Sequence, residues 1–189
     1  MNKNGSIGIA VVGCGRIAGH HIAAIRETPQ INLIALCDLD MPQAGARDTD
    51  AEVPHYGTYE DMLSAEPEID AVALATPSGL HAIQAMRIMR NWNKHIIVEK
   101  PPALGLASFE AMVAIAKDCD LQIFPVFQYR FNAAVQRCRS AIERGEFGDL
   151  HIVSVRQRWC RSQRYYDQAL WRGTYSLDGG ALTNQGIHH

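Results

Sequence analysis

Ile7-Gly8-Ile9-Ala10-Val11-Val12-Gly13-Cys14-Gly15-Arg16-Ile17-Ala18-Gly19 joins an apolar run of strand length to a glycine-rich turn and then to a stretch of helical period. Gly13 permits a tight turn and Gly15 lets the backbone approach a pyrophosphate. Ala18, where a third glycine often stands, lets helix pack on strand. With Arg16 and Ile17 in the same turn, the start of the helix is predicted to hold the phosphates of a dinucleotide. The competing reading of an isolated GxGxxG is a structural turn, so a second feature has to discriminate. Asp38 is that feature: it ends the next strand, roughly 20 residues on, where a carboxylate accepts ribose hydroxyls. The same charge repels a 2′-phosphate, which favours NAD over NADP. The alternative is that Asp38 or Asp40 merely caps the helix that follows.

Working outward, strand-length apolar runs alternate with helical segments, the pattern of βαβ units and a mostly parallel sheet. Strands are predicted at Ile7–Val12, Ile31–Cys37, Ala71–Ala75, Ile96–Val98 and Leu121–Phe127. Helices are predicted near 16–27, 42–48, 60–65, 79–91 and 108–117, the last capped by Ser108, with an aromatic turn at 55–59. Beyond residue 127 the pattern changes. Phe131–Arg144 is amphipathic with Gly145 at its end, Leu150–Trp159 alternates as a half-buried strand does, and Arg161–Asp178 reads as irregular. The fold class is therefore α/β. A Rossmann doubly wound parallel sheet over residues 1–127 is followed by the start of an α+β domain with an open sheet over residues 128–189. One strand cannot bury its face alone, so the second domain is expected to be completed by further chain or by another copy.

The 189 residues carry a formal charge of -2 with acids and bases interspersed, which gives nucleic acid no basic face. The longest early apolar stretch is far too short to span a bilayer, and no charged leader with a cleavage site precedes it. A cytoplasmic protein is expected. Cys14, Cys37, Cys119, Cys138 and Cys160 form no CxxC pair and fall on stretches that read as core, so buried, reduced thiols are predicted. No metal site is expected, because His188 and His189 are adjacent and lack an acidic or Cys cluster.

Thr76-Pro77-Ser78 ends a strand beside the first, where a parallel sheet presents its ligand crevice, and is predicted to line the cofactor path. His81 either touches cofactor or faces solvent. Glu99-Lys100-Pro101-Pro102 ends the next strand in the same crevice. Lys100 there is either an amine whose pKa falls by desolvation beside a reacting carbinol, or an exposed turn lysine paired with Glu99. Trp159, Tyr165, Tyr166 and Trp171 stack on a sugar or base ring, or pack under a long loop. Arg158, Arg161 and Arg164 suit a diphosphate, or make a solvated strand end. Arg130 reads as an anchor at the domain junction or a substrate contact, and His20 and His21 read as structural.

At Glu99-Lys100-Pro101, with the N-terminal GCGRIAGHH (13–21) and the C-terminal GGALTNQGIHH (179–189), the chain resembles the glucose-fructose oxidoreductase, inositol dehydrogenase and MocA family. The Thr-Pro turn and Phe127-Gln128-Tyr129-Arg130 occur in the family's order, and the resemblance runs from end to end. It implies NAD(P)-dependent oxidation of a sugar carbinol to a ketone. The cofactor would be held by Gly13, Gly15, Arg16, Ile17, Asp38, Thr76, Pro77, His81, Glu99 and Gln128. Lys100 and His188 look like the catalytic Lys and His of the family. Arg130, Arg158, Tyr166, Trp171 and Asn184 would meet substrate beside Lys100.

Many members place an Asp four residues before that His. Here it is Asn184, which orients an imidazole or substrate without supplying charge. The Thr183-Asn184 version, after Tyr165-Tyr166 and Leu170-Trp171-Arg172-Gly173, looks most like the nucleotide-sugar 3-dehydrogenases, which act on UDP-N-acetylglucosamine or its uronic acid. The resemblance also implies a longer chain that forms a homo-oligomer through the second-domain sheet. The competing functions are a dehydrogenase of free sugars or inositol, and a dinucleotide-binding module without turnover, either a sensor, a corepressor or an inactive fragment.

Overall fold

The computed structural model describes residues 5–40 and 53–188, together with Pro42 and Gly45. Strand β1 (Ile7–Val12) alternates its side chains between two layers: Ile9 and Val11 face one and Ala10 and Val12 the other, all four buried. That two-sided burial is what a central parallel strand requires. Helix α1 (Ala18–Glu27) covers the first layer with Ala18, Ile22 and Ile25, at helical spacing. Strand β2 (Ile31–Cys37) lies parallel to β1, and β3 (His55–Tyr56) adds a two-residue parallel edge. The predicted aromatic turn is thus partly strand. Thr58 then caps α2 (Tyr59–Ala65) by accepting from Asp61 N–H at 3.2 Å.

Strand β4 (Ala71–Leu74) is buried throughout and pairs with β1 on its other side. A 3₁₀ turn (Ser78–Leu80) leads into α3 (His81–Trp92), which ends at Asn93 in the left-handed region. Strands β5 (His95–Val98) and β6 (Ile123–Pro125) flank α4 (Leu106–Asp118). All six strands are parallel in the order β3-β2-β1-β4-β5-β6, a doubly wound sheet whose strand order reverses beside β1. Helix α4 starts earlier than predicted, with Gly105 at its N-cap and Ser108 inside its first turn. The apolar positions Leu106 and Ala107 continue the helix upstream. The helix expected near 42–48 lies outside the described residues apart from Pro42 and Gly45.

After the sheet, a 3₁₀ turn (Gln128–Phe131) precedes α5 (Ala133–Glu143), capped by Asn132. Residues 150–159 form no strand ladder, and their apolar side chains, among them Ile152 and Val153, are exposed. A strand needs a neighbour for its backbone groups, and among the described residues none lies alongside. The aromatic stretch is more ordered than predicted and contains the short helices α6 (Gln163–Asp167) and α7 (Tyr175–Asp178). Helix α8 (Gly180–Asn184) and a 3₁₀ turn (Gly186–His188) follow. The cysteine expectation is corrected at two positions. Cys14 and Cys37 are buried and Cys119 is partly buried, but Cys138 and Cys160 are exposed, because among the described residues no layer packs over α5 or over the segment that carries Cys160.

Candidate functional site

A cleft of about 840 Å³ opens at the C-terminal ends of β1, β2, β4 and β5, where strand order reverses. Its floor is the glycine-rich turn. Gly13 has φ +91°, and a Cβ there would sit 2.7 Å from the backbone of Ala75, so the turn following β4 excludes any side chain. Gly15 has nothing within 4 Å of a built Cβ, leaving its outer side open to the cleft. No side chain caps the start of α1, whose partial positive charge therefore faces the cavity. Asp38 Oδ2 accepts from Cys14 N–H at 2.6 Å and Oδ1 from Asp40 N–H at 2.8 Å. The carboxylate thus ties the end of β2 to the glycine turn and also closes a local turn of its own, while lining the cleft. These features fit a dinucleotide: a glycine cradle, an uncapped helix start and an acid at the end of the second strand in one groove.

The turns that follow β4 and β5 are locked to each other by His81. Its ring is 1 % exposed, with Nδ1 2.8 Å from Pro101 O and Nε2 2.8 Å from Thr76 O. Of the two alternatives predicted for His81, solvent exposure is corrected: the residue is a wall of the cleft and a strut between two loops, shut off from solvent. Burial holds it below the ordinary imidazole value against the pull of both carbonyls. Thr76 Oγ1 donates to Gln84 Oε1 at 2.6 Å. Glu99 is buried, with Oε1 2.9 Å from His21 Nε2, so α1 is tied to the β5 turn by a pair that sequence spacing did not reveal.

Lys100 is not paired with Glu99. Its Nζ donates to the backbone oxygen of Asn184 at 2.7 Å and to Asn184 Oδ1 at 3.1 Å. Desolvation lowers its pKa, opposed by Glu99 and Asp178 and reinforced by Arg161. Behind it, Asn184 Nδ2 donates to Asp178 Oδ1, and Asp178 Oδ2 accepts from Gly173 N–H at 2.8 Å. Asn184 and Asp178 are both buried. His188 lines the cleft with its ring 4.6 Å from that of Tyr129.

The opposite wall is aromatic and cationic. Arg161 lies 5.0 Å over Trp159 and 5.2 Å over Tyr165, and Arg172 lies 4.5 Å over the same Tyr165 ring. Among the described residues neither guanidinium is paired with a carboxylate, and Arg172 Nε is buried with no acceptor. Every residue predicted for catalysis or for the cofactor lines this one cleft, as does Trp171. Three predicted substrate residues do not. Arg130 is exposed and stacks 5.6 Å over Phe127, and Arg158 is exposed outside the cleft. Tyr166 faces a neighbouring cavity of about 440 Å³. On an extended segment, successive side chains point to opposite sides, so Trp159 and Arg161 enter where Arg158 cannot. Asp178 carried no sequence signal, and Arg172 and Gln185 entered only as members of longer motifs, with no role of their own. Their roles come from contacts made across several short elements. Among the described residues no group of three His, Cys, Asp or Glu side chains is placed to hold a metal ion, and no helix is long and apolar enough to cross a membrane.

Comparison with known proteins agrees with this geometry. Residues 7–127 match the GFO/IDH/MocA model described as an oxidoreductase family with an NAD-binding Rossmann fold, and residues 135–189 match the GFO/IDH/MocA C-terminal domain. Among solved structures, the WlbA dehydrogenase from Bordetella pertussis in complex with NADH and UDP-GlcNAcA is 38 % identical with a TM-score of 0.92. The match covers 97 % of this chain and 57 % of that one. WlbA from Chromobacterium violaceum, with the same two ligands, is 37 % identical with a TM-score of 0.92 over 98 % of this chain and 54 % of that one. Myo-inositol 2-dehydrogenase from Thermotoga maritima is 26 % identical over 79 % of this chain and 45 % of its own. The chain spans about half the length of the curated relatives it matches.

Proposed function

Since the chain belongs to the GFO/IDH/MocA oxidoreductase family, we propose that it carries the cofactor site and catalytic lysine of an NAD-dependent dehydrogenase that oxidises a sugar carbinol, a nucleotide-sugar 3-hydroxyl, to the ketone. The observation that carries this reading is the single cleft in which a dinucleotide cradle, a desolvated lysine and an aromatic, cationic wall face one another. The similarity to two dehydrogenases crystallised with NADH and a UDP-sugar supports it.

In this reading residues 1–127 hold the cofactor and residues 128–189 open the substrate side. Gly13, Gly15, Arg16 and Ile17 hold the pyrophosphate, and Asp38 holds the ribose. Thr76, Pro77, His81, Glu99 and Gln128 shape the groove leading to the nicotinamide. NAD supplies the hydride acceptor when bound. Lys100 Nζ contacts the carbinol oxygen, stabilises the developing alkoxide and relays the hydroxyl proton, while His188 serves as acid/base partner. Asn184 keeps Lys100 aimed by accepting from Nζ. Trp171 stacks on the sugar or base, and Arg161 and Arg172, which lack carboxylate partners among the described residues, meet the diphosphate or an acidic sugar substituent. The enzyme acts in the cytoplasm as a homo-oligomer assembled through its second domain. Inositol remains the alternative substrate class, favoured by the inositol dehydrogenases among its relatives.

Fluorescence titration with NADH and NADPH, followed by NAD reduction with UDP-sugars and inositol, tests the reading. Asp38→Ala is expected to weaken NADH about ten- to hundredfold, from the lost ribose contact and an orphaned Cys14 N–H. Asp38→Asn keeps the acceptor for that N–H, removes the charge and should narrow the NADH preference. Equal affinity of wild type and Asp38→Ala would remove the dinucleotide site. Reduction with inositol alone would overturn the nucleotide-sugar assignment.

A further inference from the structure

We propose that Asp178 is a positioning residue for Lys100, its carboxylate acting through the side-chain amide of Asn184 to hold the ammonium and keep its charge. This rests on Lys100 being the reacting amine of the proposed dehydrogenase. Asn184, which holds Lys100, is neutral, yet negative charge is not absent from the site. It stands one side chain further back.

The geometry dictates the direction of the relay. Lys100 Nζ needs an acceptor and receives Asn184 Oδ1 at 3.1 Å, into which Gln185 Nε2 also donates at 3.0 Å. Asp178 needs a donor and receives Asn184 Nδ2. Only one orientation of the amide serves both neighbours, so its dipole runs from carboxylate to ammonium. Asn184 is 5 % exposed and Asp178 6 %, and a buried carboxylate without a cationic counterpart is costly. Besides Asn184, the carboxylate accepts from Gly173 N–H at 2.8 Å, so both of its oxygens are held by neutral donors. Gly179 and Gly180, at φ +74° and +83°, then turn the chain so that α8 returns Asn184 over the carboxylate. The whole unit is seated on the 3₁₀ turn that follows β4, because Gly79 packs against Ser176 and Leu177 of α7 with no room for a Cβ.

Lys100 is faced by Glu99 on its own turn, Asp178 from α7, Arg161 from the segment before α6 and His81 from α3. Removing the charge of Asp178 subtracts one of the two anions that oppose desolvation, so the lysine pKa falls and more free amine is present at a given pH. A side chain that merely pinned Gly173 and Asn184 would leave that protonation unchanged.

The test is competitive acylation of the full-length protein with isotopically labelled acetic anhydride across a pH series, with labelling at Lys100 read by mass spectrometry. In Asp178→Asn the midpoint is expected to move to lower pH, raising the free-amine fraction below the midpoint about three- to tenfold. An unchanged melting temperature marks the fold as intact. Where the Asn variant does not fold, Asp178→Ser, which keeps an oxygen acceptor for Gly173 N–H without charge, takes its place. The double exchange Asp178→Asn with Asn184→Asp puts the anion directly on Nζ and should return the midpoint to the wild-type value or above it. A midpoint that stays put in the uncharged variants, or that the double exchange fails to restore, overturns the proposal. A midpoint that moves as expected in a protein that oxidises no nucleotide sugar upholds the relay and removes the proposed function instead.

Discussion

His81 has a carbonyl on each ring nitrogen and almost no contact with water, so its protonation state is coupled to folding. Burial lowers its folded pKa below 6.5. The unfolded chain therefore takes up the proton first on acidification, and stability is lost as pH falls from about 6.5 toward the folded value, while above 6.5 the group contributes no slope. One such group adds at most about 1.4 kcal/mol per pH unit. His81→Gln cannot ionise and should flatten that part of the profile, measured as urea midpoints at pH 7.5 and 5.5. Parallel profiles for the two proteins would count against the coupling. The same contrast marks what the sequence discloses at this scale. Gly13 and Asp38 are legible because their work is done within a turn and at a fixed spacing from it. The roles of His81, Glu99 with His21, and Asp178 depend on partners 20, 78 and 6 residues away across separate elements, and no periodicity encodes those pairings.

Elements were legible where one face is buried against the sheet and less so where a neighbour decides. Strands β1, β2, β4 and β5 read correctly because burial on both sides leaves continuous apolar runs. The two-residue β3 did not, since its pairing is set by β2 and not by its own composition. Helix α7 hides in an aromatic stretch with no amphipathic stripe, and the residue that seats it, Gly79, lies nearly a hundred positions earlier in a turn. A methyl group at Gly79 would stand 2.2 Å from Ser176 O, so α7 must move, and Asp178 and Asn184 move with it. Gly79→Ala is expected to cost about 1–3 kcal/mol of stability by overpacking. It should also lower kcat by tenfold or more with a smaller loss of NADH affinity, because the glycine turn and Asp38 follow β1 and β2, and of the proposed cofactor residues only Thr76, Pro77 and His81 lie close to Gly79 in the chain. Loss of NADH binding in step with kcat would show instead that the two halves of the cleft move as one body. Melting temperature, NADH titration and steady-state rates on the same preparation separate these outcomes.

At the scale of the molecule, two halves of the chain meet water differently. Through β5 the apolar residues are largely inside, in two clusters that sandwich the sheet. From the end of the sheet onward they are outside: Phe131 is 82 % exposed, Ile152 86 %, Val153 75 % and Val155 62 %. Val153 and Val155 stand two residues apart in a segment that pairs with no strand among the described residues, and its backbone groups and exposed apolar side chains together invite another strand. Formal charge of -2 offers little repulsion to keep copies apart. A protein of residues 1–189 is therefore expected to self-associate, its weight-average mass in sedimentation velocity rising with concentration. Replacing Val153 and Val155 by Lys should suppress that association, since two charges on the edge penalise burial and like charges on facing copies repel. NADH binding should be unchanged, because neither residue lines the cleft. A concentration-independent monomer would mean that 150–159 folds back onto its own chain, and the second domain would then close without a partner strand.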